Sequence, residues 1–216
     1  HKYACRACDA HGESPNIEAA AKPAQPIPGG LPGPSLLAYC VTSKLGDHLP
    51  LYRLENIFAR QRVHVARSTL CAWIRCAGEL VNPLVELMAS RVRHSRAVHT
   101  DDTPVPIQSP GEKQCRQGRI WCYLGDEQHP YTVYDYTPDR SRDGPAQWLA
   151  GYSGYLQADA YGGYDGIYHG QGVTEVACWA HARRKFYDAQ DSDQRRALEM
   201  LALIGELYQV ERALKE

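Results

Sequence analysis

The 216-residue sequence has no apolar run near the roughly 18 residues that a membrane-spanning helix requires. Its longest plain apolar stretch, around residues 36–41, is far shorter. No charged-then-apolar leader follows His1. There is no internal repeat, and no low-complexity tract beyond one Pro/Gly stretch. A soluble, cytoplasmic protein without a membrane partner is therefore expected. A secreted disulfide framework is lacking too. Of eight cysteines only Cys5 and Cys8 lie close together, as CRAC. Cys40, Cys71, Cys76, Cys115, Cys122 and Cys178 are scattered among apolar neighbours, and most read as small core residues. With 44% hydrophobic and 23% charged residues, the chain is neither wholly disordered, collagenous nor a coiled coil. Its length suits one generous domain or two small ones.

The net charge is −1, but the charges are partitioned. Residues 1–96 hold twelve Lys/Arg against seven Asp/Glu, and residues 97–170 hold five against ten. A basic front and an acidic middle suit a protein that grips a polyanion at one end and gathers carboxylates at the other. Two solvated surfaces of different charge would give the same count.

Four segments follow from composition and periodicity. Residues 1–13 form a Cys/His segment. Residues 14–34 form a linker with six prolines and three glycines, whose spacing forbids helix or sheet pairing. Residues 35–96 are helical. Ser35 is an N-cap and Gly46 a stop; a second helix covers 51–60, and a third starts at Ser68 or Thr69. Leu70, Trp73, Ile74, Ala77, Leu80 and Val81 recur at three and four, which buries one face of that third helix. Asn82-Pro83 is expected to end it and begin another that runs to about Val92.

From residue 97 the period changes to that of strands. Residues 98–107, 119–124 and 131–136 read as three strands joined by hairpins. A helix fits 144–149, a fourth strand 155–158 and a fifth, buried one 173–178. Helices then cover 183–189 and 195–214, with a short helix near Tyr164. Three antiparallel strands followed by helical crossovers to parallel strands is the ribonuclease-H-like order. The expected fold class is thus α/β, a ribonuclease-H-like mixed sheet over residues 97–216 preceded by a helical region.

In that order the first and fourth strands are neighbours. Asp101, in HTDDTPVPI, and Asp159, in LQADAYGGY, would then meet at one sheet edge although 58 residues apart. A carboxylate within an apolar strand is costly unless its charge is compensated, and Mg²⁺ compensates it with oxygen ligands. A pair of such ions stabilises both attacking and leaving oxygens at phosphorus. Both residues also suit simple turn starts, in DTP and DAYGG. Asp102 competes with Asp101: side chains alternate across a strand, so only one of the two is expected to face the site.

Three weaker signals complete the reading. The CRAC pair is half of a zinc ribbon; a structural Zn²⁺ needs four ligands, and no second CxxC exists. His11 would serve as a third ligand, and His1 is a poor fourth. Arg60, Arg62 and Arg67 flank a break between two helices that resembles a helix-turn-helix, and equally a plain helical hairpin. In CWAHARRKF, Arg183, Arg184 and Lys185 crowd one turn, which suits phosphate positioning as well as a solvated face. His181 is placed to bond a scissile phosphate or to serve structurally.

The strings PIPGGLPGPSLLAY, DHLPLYRLENIFAR, RSTLCAWI, TDDTPV, GRIWCYLGD, YDYTPDRS, GYLQADAYGGY and CWAHARRKF, in this order, resemble the insertion-sequence-sixty-six family of DDE transposases. The resemblance implies an N-terminal zinc ribbon, a helical DNA-binding stretch and a ribonuclease-H-like catalytic domain. It aligns Asp101 and Asp159 with the first two catalytic carboxylates, which would hold two Mg²⁺. Asp102 stands where the family usually has Glu, and Arg62 where it tends to have Gly. The third family carboxylate is a glutamate in a later Asn-rich motif. That motif is absent, and Glu199, Glu206 and Glu211 do not match it. The third catalytic Glu is thus unknown, and a chain truncated at both ends, with little or no strand-transfer activity alone, is expected.

The resemblance further implies cutting and joining of double-stranded DNA at insertion-sequence ends, by a homo-oligomer associated with the nucleoid. Arg183, Arg184 and Lys185 would hold phosphates, and the basic helices around Arg60, Arg62 and Arg67 would dock on terminal repeats. The alternatives are a catalytically inactive DNA-binding remnant and a ribonuclease-H-like nuclease.

Overall fold

A computed structural model of the protein describes residues 2–4, 17–19, 21, 23–109, 111, 114–169 and 172–215. Cys5, Cys8 and His11, the expected zinc ligands, and His1 lie outside the described residues. The chain divides into two compact units, His1–Pro83 and Leu84–Glu216.

In the first unit, strands β1 (Lys2–Ala4) and β2 (Ile17–Ala19) pair antiparallel, so the expectation that residues 14–34 form no sheet pairing fails at 17–19, which lie in the proline-free stretch between Pro15 and Pro23. Helix α1 (Pro34–Val41) starts on a proline, whose missing N–H is no loss in a first turn. It continues as a π-helical turn over Thr42–Gly46, so the expected stop at Gly46 holds. Helix α2 (Leu51–Arg60) has the expected bounds. Leu37, Cys40, Leu54, Phe58, Leu70, Trp73 and Ala77 form the core of this unit.

The turn after α2 is a six-residue Schellman closure. The Val63 N–H donates to the Phe58 carbonyl and the Arg62 N–H to the Ala59 carbonyl, both at 3.0 Å. This motif requires a left-handed residue at its centre, and Arg62 supplies it with φ 60°. A side chain there costs roughly 1–2 kcal/mol that glycine would avoid.

Helix α3 spans Arg67–Val92 without the expected break at Asn82-Pro83; Pro83 lies inside it. Proline removes one intrahelical bond and costs about 3 kcal/mol. Packing on both sides outweighs this: Trp73 and Ala77 are buried before the proline, and Ala89 and Val92 after it.

The second unit is built on a five-stranded mixed sheet, so the chain is of the α/β class. Strands β3 (Ala97–Ile107), β4 (Arg116–Leu124) and β5 (Thr132–Thr137) pair antiparallel in sequence. Helix α4 (Asp143–Trp148) then leads to β6 (Gly154–Ala158), which lies parallel beside β3. A 3₁₀ turn (Gly162–Tyr164) and helix α5 (Asp165–Tyr168) precede β7 (Val173–Ala177), parallel to β6. Helices α6 (Trp179–Asp188) and α7 (Gln194–Lys215) follow. The spatial order is β5-β4-β3-β6-β7.

Alternation buries Val98 and Thr100 of β3 and Trp121 and Tyr123 of β4 on one face. Leu149, Tyr152, Leu156 and Tyr164 complete that core. The Tyr123 ring stacks on Trp148 at 3.7 Å, and the Trp121 indole N–H donates to the Thr137 hydroxyl at 2.7 Å.

Two expectations are corrected. β7 is not a buried strand: it is an edge, and only its first residue, Val173, is buried. Cys178 caps α6, and Trp179 begins that helix half-exposed. Nor are most of the scattered cysteines core residues. Cys40 alone of the six is buried, while Cys71 and Cys115 are exposed. Among the described residues, no helix is long and apolar enough to cross a membrane.

Candidate active site

The site grows from the place where β3 and β6 part. Their parallel pairing sets Ala97, Val98 and His99 opposite Tyr155, Leu156 and Gln157. Two residues further, the same register makes Asp101 level with Asp159. β6 has ended at Ala158, so the edge of β3 is open there. The Asp102 N–H, with no strand to pair on that side, donates instead to Asp101 Oδ1 at 2.9 Å. Asp101, Asp102 and Asp159 each present a carboxylate oxygen within 4.8 Å of the others.

The expectation that only one of Asp101 and Asp102 faces the site is therefore wrong. Alternation does send them to opposite faces: the Asp102 side chain is 1% exposed and that of Asp101 57%. Both nonetheless present a carboxylate oxygen to the cluster, beside the point where β6 ends.

Charge explains the burial of Asp102. Arg119 Nη1 donates to its Oδ2 at 2.9 Å. Arg140 meets it through Nε, at 2.9 and 3.1 Å from Oδ1 and Oδ2, and through Nη2, at 2.7 Å from Oδ1. A buried carboxylate survives only with such pairing. Arg140 Nη2 also reaches Asp159 Oδ2 at 3.1 Å. Its guanidinium lies 4.0 Å from the Tyr161 ring centroid, and the Tyr161 hydroxyl donates to its backbone carbonyl. The hydrogen bonds it donates to Asp102, and then the charges of Asp102 and Asp159, hold the guanidinium even more firmly protonated than usual.

Among the described residues, two buried polar atoms at the site have no partner: Asp159 Oδ1 and His181 Nδ1. His181 Nε2 stands 3.7 Å from Asp101 Oδ2, beyond hydrogen-bond reach. A cleft of about 450 Å³ opens beside them, lined by Arg140, Asp159, Glu175, His181, Arg184 and Lys185 among others. Of the three expected phosphate-binding cations in α6, Arg184 and Lys185 line the cleft; Arg183 is exposed and does not. Arg60, Arg62 and Arg67 are exposed residues of the first unit. Glu55 faces Arg67, accepting from its backbone N–H at 3.3 Å and lying 3.9 Å from its guanidinium.

The Transposase IS66 family matches this chain over residues 29–216. The chain belongs to that family. It is also similar to three uncharacterized proteins of Sinorhizobium fredii (strain NBRC 101917 / NGR234). Identity to y4qI is 34% over 97% of this chain, to y4hP 33% over 99%, and to y4jD 31% over 99%. The chain spans only 40–43% of the length of these relatives.

For this IS66-family chain, the convergence of Asp101 and Asp159 was expected from strand order, whereas the arginines that hold Asp102 were not foreseen. Arg119 carries a usable signal. Once Asp102 is set opposite Trp121, Arg119 is its diagonal neighbour on the same face of the hairpin. Arg140 carries none. It comes from the segment between β5 and α4, and only the folded chain brings it 38 residues back to Asp102. Tyr161 likewise looked like part of a turn.

Proposed function

We propose that this chain carries the DNA-cutting core of an insertion-sequence transposase, with a ribonuclease-H-like catalytic domain over residues 97–216. In this reading the parent protein cuts and joins double-stranded DNA at element ends by the DDE mechanism, a metal-dependent phosphoryl transfer. The carrying observation is the convergence of the Asp101 and Asp159 carboxylates at the open edge between β3 and β6. Family membership and the strand order support it.

The donor set fits a hard divalent cation. Asp101 is largely exposed, and Asp159 Oδ1 is buried with no partner, an arrangement that costs free energy unless a cation completes it. Asp101 and Asp159 would hold Mg²⁺. Bound Mg²⁺ ions supply charge stabilisation for the attacking and leaving oxygens of an in-line displacement at phosphorus.

The chain's own residues do the rest. Arg184 and Lys185 on the cleft wall hold backbone phosphates, which positions a duplex without reading its sequence. Arg183, exposed on the same helix, extends that grip outward. His181, with Nε2 3.7 Å from Asp101 Oδ2, would hydrogen-bond a phosphate held at the site. Residues 35–96, with Arg60, Arg62 and Arg67 exposed, form the DNA-docking region. Cys5 and Cys8, which precede that region, would contribute two Zn²⁺ ligands, half of a zinc ribbon. The working assembly is a homo-oligomer on nucleoid DNA in the bacterial cytoplasm.

Cleavage of a duplex bearing the element's ends, against one without them, tests this reading. Asp101→Asn and Asp159→Asn are each expected to abolish Mg²⁺-dependent cutting in the whole transposase while leaving salt-dependent DNA binding intact. Binding without cutting by the unaltered protein would identify a catalytically inactive remnant. Cutting that ignores the ends would identify a nuclease.

A further inference from the structure

Three carboxylates meet at this site, yet they are not equivalent. Asp102 is buried and has both oxygens engaged by Arg119 and Arg140. Asp159 is held by one oxygen only: Oδ2 accepts from Arg140 Nη2, and Oδ1 stays buried and unpartnered. Arg140 is itself fixed on three sides, by the fork to Asp102, by the Tyr161 ring beneath it, and by the Tyr161 hydroxyl on its backbone carbonyl. A guanidinium has a rigid planar fork, so a donor fixed by one carboxylate dictates where a second must stand.

We infer that Arg140 is a positioning residue: anchored by Asp102, it orients Asp159 so that Oδ1 stands free to bind a divalent cation, and Asp102 serves as that anchor and not as a cation ligand. The inference deepens the metal-site reading proposed above and rests on it. With Asp102 neutralised by two arginines, an incoming cation meets the two carboxylates of Asp101 and Asp159. If Asp102 lost its charge, Arg140 would be released onto Asp159 and would compete with the cation there.

The test uses Mn²⁺ alone as the probe, with binding to the purified full-length protein followed by electron paramagnetic resonance. Circular dichroism confirms that each variant is folded. Asp101→Asn and Asp159→Asn should each weaken Mn²⁺ binding strongly; retention of full affinity in both would refute the metal site itself. Arg140→Gln and Arg140→Lys should both weaken binding, by about tenfold, as for other residues that orient metal ligands. Lysine keeps the charge but cannot reproduce the fork. Unchanged affinity in Arg140→Lys, or tighter binding in Arg140→Gln, would overturn the inference.

Asp102→Asn should weaken Mn²⁺ binding in the natural background and change it less than about twofold when Arg140→Gln is already present. An equal loss in both backgrounds would make Asp102 a ligand in its own right. A metal-free crystal structure of Arg140→Gln supplies a readout independent of any ion. Asp159 is expected to leave its present orientation, and an unmoved Asp159 sinks the inference whatever Mn²⁺ does.

Discussion

The two units of this chain handle charge in opposite ways. In the helical unit the core is apolar, built on Leu37, Leu54, Phe58, Leu70 and Trp73, and the arginines stay at the surface. Arg67 meets Glu55 with its side chain 66% exposed, so solvent screens most of that attraction. In the sheet unit a carboxylate is buried beside the core and two arginines are drawn in to neutralise it. Surface cations remain available to a polyanion. A buried charge network instead fixes side chains in place.

The sharpest way to break this comparison is to remove Asp102. Asp102→Ala takes the shared carboxylate from two partly exposed arginines, of which Arg140 keeps Asp159, and is expected to cost about 1–3 kcal/mol in urea unfolding. Arg67→Ala should change stability by less than about 0.5 kcal/mol. Equal effects would show that the buried network is no more than a surface pair.

Leu54→Ala probes the helical unit on its own terms. Leu54 is fully buried, and the cavity left behind should cost about 3 kcal/mol, with no change in Mn²⁺ binding at the acidic site.

Asp126 sharpens the comparison through pH. Partial burial pushes its carboxyl upward. The backbone N–H of Arg96 at 2.7 Å and the His129 side chain and N–H pull more strongly and leave it below its ordinary 3.8. A depressed carboxyl stabilises the fold above its unfolded-state value and loses that contribution as the pH falls through the lower folded value. Asp126→Asn is therefore expected to destabilise by about 1–3 kcal/mol at pH 7. The difference from the natural protein should shrink once the pH drops below 3.8. A gap that stays constant into acid would contradict the assignment.

The smallest effect has the opposite sign. Arg62→Gly relieves a left-handed side chain and should stabilise the helical unit by up to about 1 kcal/mol. If Arg62 contacts phosphate, the same change weakens DNA binding and flattens its salt dependence by about one unit of log–log slope. Stability and binding would then move in opposite directions at one residue.

Much of this architecture was legible along the chain because it is local. Helix α2 has the expected ends, and all five strands of the sheet fall within a few residues of the runs that predicted them. Alternation and turn residues are properties of neighbours in sequence. The continuous helix through Pro83 was not legible, since only packing on both sides shows that a local penalty has been outweighed. The cysteines misled for a related reason. Apolar neighbours in sequence do not determine which face of an element a side chain occupies.

At the acidic site the division is sharper. The sequence by itself placed Asp101 within one strand and Asp159 at the close of its neighbour, because strand order and a register of period two carry that information. Tertiary structure alone decided that Asp102 joins them, that Arg119 and Arg140 neutralise it, and that one oxygen of Asp159 remains unpartnered. Those outcomes depend on where β6 stops and on a guanidinium arriving from a distant segment. Electrostatic pairing acts through space across a few ångströms, and no local pattern encodes such a meeting.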